Sequence, residues 1–239
     1  MPKSCDMRKA LLIVICLFAS IPLIRGQVLL SIIFGDKLNS PTTEFGLNVG
    51  VAVSTLSGYK DIAYSNNLAL GTFFTWKMHD RVQLQPEIYF IFPGGAKDLP
   101  PYEILDPEIT IPEDDVDVIR SSSYLSLPLL FKIRLLNQIR FIAGPQFSFM
   151  TSNTDFMLYE MDKKNNFISR QKDMAQFKRF DAGINAGLSY KLGKGDGVSI
   201  EAKFYYGLLD TVQADDINAK NRIFIIQAGI PIRGFSKTE

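Results

Sequence analysis

Cysteine is nearly missing from this chain. The two present, Cys5 and Cys16, both lie in the first 26 residues. From position 27 onward there is no thiol, which excludes a disulfide framework and cysteine chemistry there. Histidine is scarcer still, with His79 alone, beside Asp80 in a short turn. A hydrolytic triad needs nucleophile, base and orienter within hydrogen-bond reach. The expected topology brings no serine or cysteine nucleophile to His79, so a surface histidine and a non-enzymatic protein are expected. A dominant sign of charge is lacking too: 26 Lys+Arg stand against 25 Asp+Glu. That balance removes the bulk field on which nucleic-acid binding would draw. After the N-terminal segment no run of 18 apolar residues occurs, so no spanning helix is expected.

What is present begins with Lys3, Arg8 and Lys9, followed by an apolar run at 10–24 and then Arg25-Gly26. A charged start and a short apolar run read as a secretory signal peptide over residues 1–26. The alternative is a retained helical anchor, for which the run is short. Residues 27–43 start apolar and break at Gly35. They are expected to form a periplasmic leader, either a short helix or a flexible segment. An exported chain that is 46% hydrophobic yet has no spanning helix leaves two main options: a soluble secreted β-protein or an outer-membrane barrel.

Residues 179–209 decide between them, because they read as one membrane-spanning hairpin. Phe180, Ala182, Ile184, Ala186, Leu188 and Tyr190 alternate with Arg179, Asp181, Gly183, Asn185, Gly187 and Ser189. After the turn at Gly193-Lys194-Gly195-Asp196-Gly197, Val198, Ile200, Ala202, Phe204 and Tyr206 alternate with Ser199, Glu201, Lys203 and Tyr205. Period-two alternation gives a strand one apolar and one polar face. The same pattern predicts strands at 44–56, 68–77, 81–92, 124–134, 139–150 and 222–232. Pro86 cannot donate to a ladder, so a bulge is expected there.

The eight expected strands are joined by connections that alternate long and short, the habit of a bacterial barrel with tight periplasmic turns and long outer loops. Of the outward positions read in these registers, with those of the last strand taken from Phe224 onward, none is charged, as lipid demands: Lys or Arg at mid-bilayer costs about 2–4 kcal/mol. Aromatics cluster near strand ends, with Trp76, Phe131 and Tyr190 towards the periplasm and Phe92, Phe149, Phe180 and Tyr206 towards the outside. Such girdles mark the two membrane interfaces. The fold class expected is therefore all-β: an eight-stranded antiparallel transmembrane barrel over 44–239, in the cell outer membrane and in contact with its lipid. A soluble lipocalin-like carrier would need the opposite arrangement of faces.

Inward positions include Lys77, Glu87, Lys132, Arg134, Arg140, Arg179, Asp181, Lys191, Glu201 and Lys203. Eight strands enclose a space that side chains can fill. Buried charges must pair, so Glu87, Lys132, Arg140, Arg179, Asp181, Glu201 and Lys203 are expected to form a salt-bridged interior. A small-solute channel or an ion path through these groups is the alternative. The acids Asp106, Glu108, Glu113, Asp114, Asp115 and Asp117 lack the spacing of a dedicated calcium loop. The glycines 193, 195 and 197 join two strands with no helix after them, so they form a turn and not a phosphate loop. No cofactor is expected.

With strands assigned, several motifs fall into place: Gly35-Asp36-Lys37-Leu38-Asn39-Ser40; Glu44-Phe45-Gly46-Leu47-Asn48-Val49-Gly50; Tyr124-Leu125-Ser126-Leu127-Pro128; Ala143-Gly144-Pro145; and Glu201-Ala202-Lys203-Phe204-Tyr205-Tyr206-Gly207-Leu208. On these the chain resembles the PorT-like outer-membrane β-barrel family of Gram-negative bacteria. The resemblance implies the barrel fold and an accessory role in protein secretion or envelope assembly, with a partner protein at the periplasmic end. Read from the residues alone, contacts belong to the outer loops 93–123 and 151–178.

Cleavage is expected after Gly26. N-terminal sequencing of the protein extracted from outer membranes should therefore begin at Gln27; a start at Met1 would favour the retained anchor.

Overall fold

Side chains that alternate between lipid and lumen set the architecture. A computed structural model describes residues 40, 42–100, 116–160, 166–171, 177–193, 197–213 and 218–232. The expected signal peptide, most of the expected leader, the acids Asp106, Glu108, Glu113, Asp114 and Asp115, and the centre of the expected Gly193–Gly197 turn lie outside the described residues.

Among the described residues nine strands follow in order: β1 (Thr43–Ser57), β2 (Ser65–His79), β3 (Val82–Gly94), β4 (Val116–Arg134), β5 (Ile139–Glu160), β6 (Asn166–Gln171), β7 (Phe180–Lys191), β8 (Ser199–Gly207) and β9 (Lys220–Pro231). Eight form a closed antiparallel ring in the order β4-β3-β2-β1-β9-β8-β7-β5, with β5 returning to β4. β6 stands outside the ring, paired to the far end of β5 at residues 155–160. The chain enters β1 and leaves β9 at the end that carries the tight turns, since Gly46 pairs with Pro231 and Thr43 with Trp76. The long connections gather at the other end.

Burial is inverted relative to a soluble protein. Leu125, Leu127, Leu129, Phe131 and Ile133 are exposed on one face of β4, while Ser126, Leu130 and Lys132 are buried on the other. β7, β8 and β9 repeat this, with Ile184, Phe204 and Ile226 outside and Asn185, Lys203 and Gln227 inside. An apolar outer band with polar groups inside suits a wall bathed in lipid. It is the reverse of a soluble ligand carrier.

Three differences from the sequence reading have local causes. Pro86 lies in regular register opposite Leu129; the irregularity falls instead between Tyr89 and Phe92, against both neighbouring strands. One extra residue there turns Phe90 and Ile91 outward together, at 59% and 41% exposure, and sends Phe92 inward at 1%. A one-residue shift exchanges the two faces of a strand. Phe92 therefore leaves the outer aromatic girdle and joins the lumen. The other girdle residues, Trp76, Phe131, Phe149, Phe180, Tyr190 and Tyr206, do face outward.

The second difference is length. β4 starts eight residues before Tyr124, at Val116, and β5 runs on to Glu160, where the sequence reads as loop. Above the bilayer the outward face no longer needs to be wholly apolar: Asp117, Ser121 and Ser123 share it with Ile119, so the alternation fades while the ladder continues. Third, residues 95–99, just after β3, fold back over the mouth. Gly95 has φ of 102°, and a Cβ there would sit 2.1 Å from the Arg120 carbonyl oxygen. Only glycine allows that approach. It lets Ala96 accept from the Arg120 amide and Leu99 bridge Val118. Leu56, Ala96, Leu99 and Val118 form a small apolar cap there, with Tyr59 and Ile62 against it.

The register shift in β3 is directly testable, because residues 27–239 contain no cysteine. Phe90→Cys should react with a membrane-partitioning maleimide in lipid vesicles, and Phe92→Cys should react only after unfolding. Equal labelling of both would refute the shift.

Candidate functional site

The lumen is the place where this sequence concentrates polar and charged side chains away from water. Its floor, at the tight-turn end, holds Lys191 of β7 against Glu44 of β1, with Nζ 2.6 and 2.9 Å from the two carboxylate oxygens. Arg140 is buried nearby and faces Arg134, its cross-strand neighbour.

One level up is a hydrogen-bonded chain. Thr75 donates to Gln85 at 2.7 Å, and Gln85 donates to Glu87 at 2.7 Å. Glu87 accepts from Lys203 at 2.6 Å, and Lys203 also lies 3.7 Å from Glu201. Glu201 in turn accepts from Lys132, and from Gln227 at 3.0 Å. Tyr89 accepts from Lys203 at 2.9 Å and donates to Gln227. Two carboxylates and two ammonium groups thus balance, and Glu87, Lys132, Glu201 and Lys203 are each less than 5% exposed. Breaking one side of such a buried pair leaves an uncompensated charge, whereas the intact pair roughly offsets its own desolvation.

Geometry makes this chain a crossbar. β3 and β8 stand opposite each other in the ring, so the Glu87–Lys203 contact spans the lumen. The next layer is aromatic and spans it again. Phe92 packs edge-on against Tyr205 across the barrel at 5.7 Å and against Tyr89 at 5.4 Å. Gly183 leaves room for the Tyr205 ring, which a Cβ would meet at 2.6 Å. Above it Asn221 of β9 donates to Tyr124 of β4, again opposite, at 3.2 Å, and to Asp181 at 2.8 Å. At the outer mouth Arg120 grips Asp155 through Nε and Nη2, at 2.8–3.2 Å. Asn153 and Ser122 extend that layer, and Phe177 lies 4.5 Å beneath the guanidinium.

Of the residues expected in one interior network, Glu87, Lys132, Glu201 and Lys203 meet in it. Arg140 sits at the floor, outside the hydrogen-bonded chain. Asp181 occupies a separate level, bound to an amide and not to a cation. Arg179 is exposed and precedes β7, and it forms no ion pair with Asp181. The strand begins one residue later than the alternation suggested. Sequence reasoning missed the Arg120–Asp155 pair because both residues lay in expected loops. The signal was present: Arg120 keeps the even, inward phase of Ser122, Tyr124 and Ser126. The neutral members Thr75, Gln85, Tyr89 and Gln227, which complete the hydrogen bonding, were not among the residues expected in the network.

Comparison with known proteins gives the lineage. The outer membrane protein beta-barrel domain matches residues 39–213. Among solved structures, the crystal structure of Ail, the attachment invasion locus protein of Yersinia pestis, is similar at 13% identity and a TM-score of 0.42, covering 80% of this chain and 99% of that one. Neisserial surface protein A is similar at 12% identity and a TM-score of 0.37, covering 79% and 96%. The solution structure of the E. coli outer membrane protein W is similar at 16% identity and a TM-score of 0.36, covering 80% and 98%. No curated protein matches the chain. The chain belongs to the outer membrane protein beta-barrel domain family and resides in the cell outer membrane.

Proposed function

We propose that this protein is a closed, non-enzymatic surface barrel, whose interior is a structural crossbar and whose outer loops carry its contacts. The observation that carries the reading is the Lys203–Glu87 pair: side chains from opposite walls touch at 2.6 Å, with an aromatic layer directly above. A water-filled path for solutes needs the space these groups occupy. The interior charges Glu87, Lys132, Glu201 and Lys203 then act in stability, holding opposite walls in one arrangement.

A narrower reading is an accessory factor for secretion or envelope assembly, as in the PorT-like resemblance. It is supported by a cleft of about 570 Å³ at the tight-turn rim, where Lys77, His79, Asp80 and Arg134 are among the lining residues. That reading predicts a protein partner retained on mild extraction of the membrane.

Planar-bilayer recordings should show no unitary conductance from the purified protein; regular steps that scale with incorporated protein would establish the channel reading instead. Lys203→Met should lower unfolding stability in lipid vesicles by about 3–5 kcal/mol, since it strands Glu87 in the lumen. The double change Lys203→Met with Glu87→Gln should recover part of that loss. A neutral single variant would remove the crossbar role.

A further inference from the structure

The lipid-facing phase of β9 runs through Phe224, Ile226 and Ile230. Continued towards the outer rim, it meets Arg222 and then Lys220. A cation on this face is costly in hydrocarbon and favourable only at the headgroup level. Arg222 is level with Tyr206 of the outer aromatic girdle, its register partner on β8.

Arg222 is also held in place. Its guanidinium carbon lies 3.6 Å from the Tyr206 ring centroid. Its Nη1 donates to the carbonyl oxygens of Gly207 and Asn221, both at 2.8 Å. Nε and Nη2 have no protein partner among the described residues. A merely snorkelling arginine has no need of a stacked ring and two backbone anchors. Lys220, roughly 7 Å further along the same face by strand rise, likewise forms no ion pair among the described residues. Two cations, one with an open pair of donors and fixed orientation, therefore face the outer-leaflet headgroup layer, and neither forms an ion pair among the described residues.

We propose that Arg222 and Lys220 form a binding site for the phosphate group of an outer-leaflet lipid. Guanidinium donors match two phosphate oxygens bidentately, and the ammonium supplies a second charge. The site sits on the outer wall and is independent of the loops and of the lumen.

The test is native mass spectrometry of the full protein in detergent, offered either diphosphorylated lipid A or the same lipid dephosphorylated. The wild type should retain the phosphorylated lipid and release the other. Arg222→Gln should weaken retention roughly tenfold or more, the worth of charge-assisted hydrogen bonds; Lys220→Gln should weaken it less, and Arg222→Lys should fall between wild type and Arg222→Gln. Each variant is first checked for a folded barrel by its mobility with and without boiling. Equal retention of the two lipids by the wild type would overturn the proposal, even if a variant did not fold. So would unchanged retention in a folded Arg222→Gln protein. Inorganic phosphate competing as strongly as the lipid would overturn the lipid assignment in favour of a free-anion site.

Discussion

A backbone amide or carbonyl left without a partner in hydrocarbon costs several kcal/mol, so a sheet that crosses a bilayer must have no edge there. In this protein the pairing of β1 with β9, from Gly46 opposite Pro231 to Ser57 opposite Lys220, joins the first strand of the ring to the last. The β4–β5 pairing completes the circle. Where the ring rises beyond the lipid the requirement relaxes. There β4 and β5 lengthen, β6 adds to the far end of β5, and the segment after Gly95 folds across the mouth.

Closure dictates the inside as well as the outside. With the large apolar side chains committed to lipid, the lumen is built from what remains, and its polar groups must satisfy one another. The chain from Thr75 through Gln85, Glu87, Lys203 and Glu201 to Lys132 does this with equal numbers of buried acids and bases. The aromatic layer of Tyr89, Phe92 and Tyr205 fills the space above it. A barrel of eight strands has little room for anything else.

Much of this was legible in the sequence, because lipid enforces alternation more strictly than a soluble core does. All eight ring strands, their faces and the long-short rhythm of the connections follow from period two. The same reasoning failed where its physical basis lapses. At Phe90–Ile91 a single extra residue reverses the phase, and the apolar character of Phe92 gives no hint of which face it takes. In the outer halves of β4 and β5 water replaces lipid, so Ser121-Ser122-Ser123 looks like loop although it is paired. Which inward charge meets which depends on the stagger of opposite strands, and the sequence of one strand does not carry that. Glu201 with Lys203 was visible as a neighbouring pair; Lys203 with Glu87, across the lumen, was not. Arg222 was missed for a related reason: the outward register of the last strand was read from Phe224, one position too late to meet the cation at its rim.

The measurement that bears most directly on the closed barrel in lipid is electrophoresis of the fractionated envelope, with the untagged protein run boiled and unboiled. The protein should sediment with the outer membrane and migrate faster unboiled than boiled, since the ring stays closed in detergent until heated. A protein recovered in the soluble fraction, with one mobility under both conditions, would contradict it.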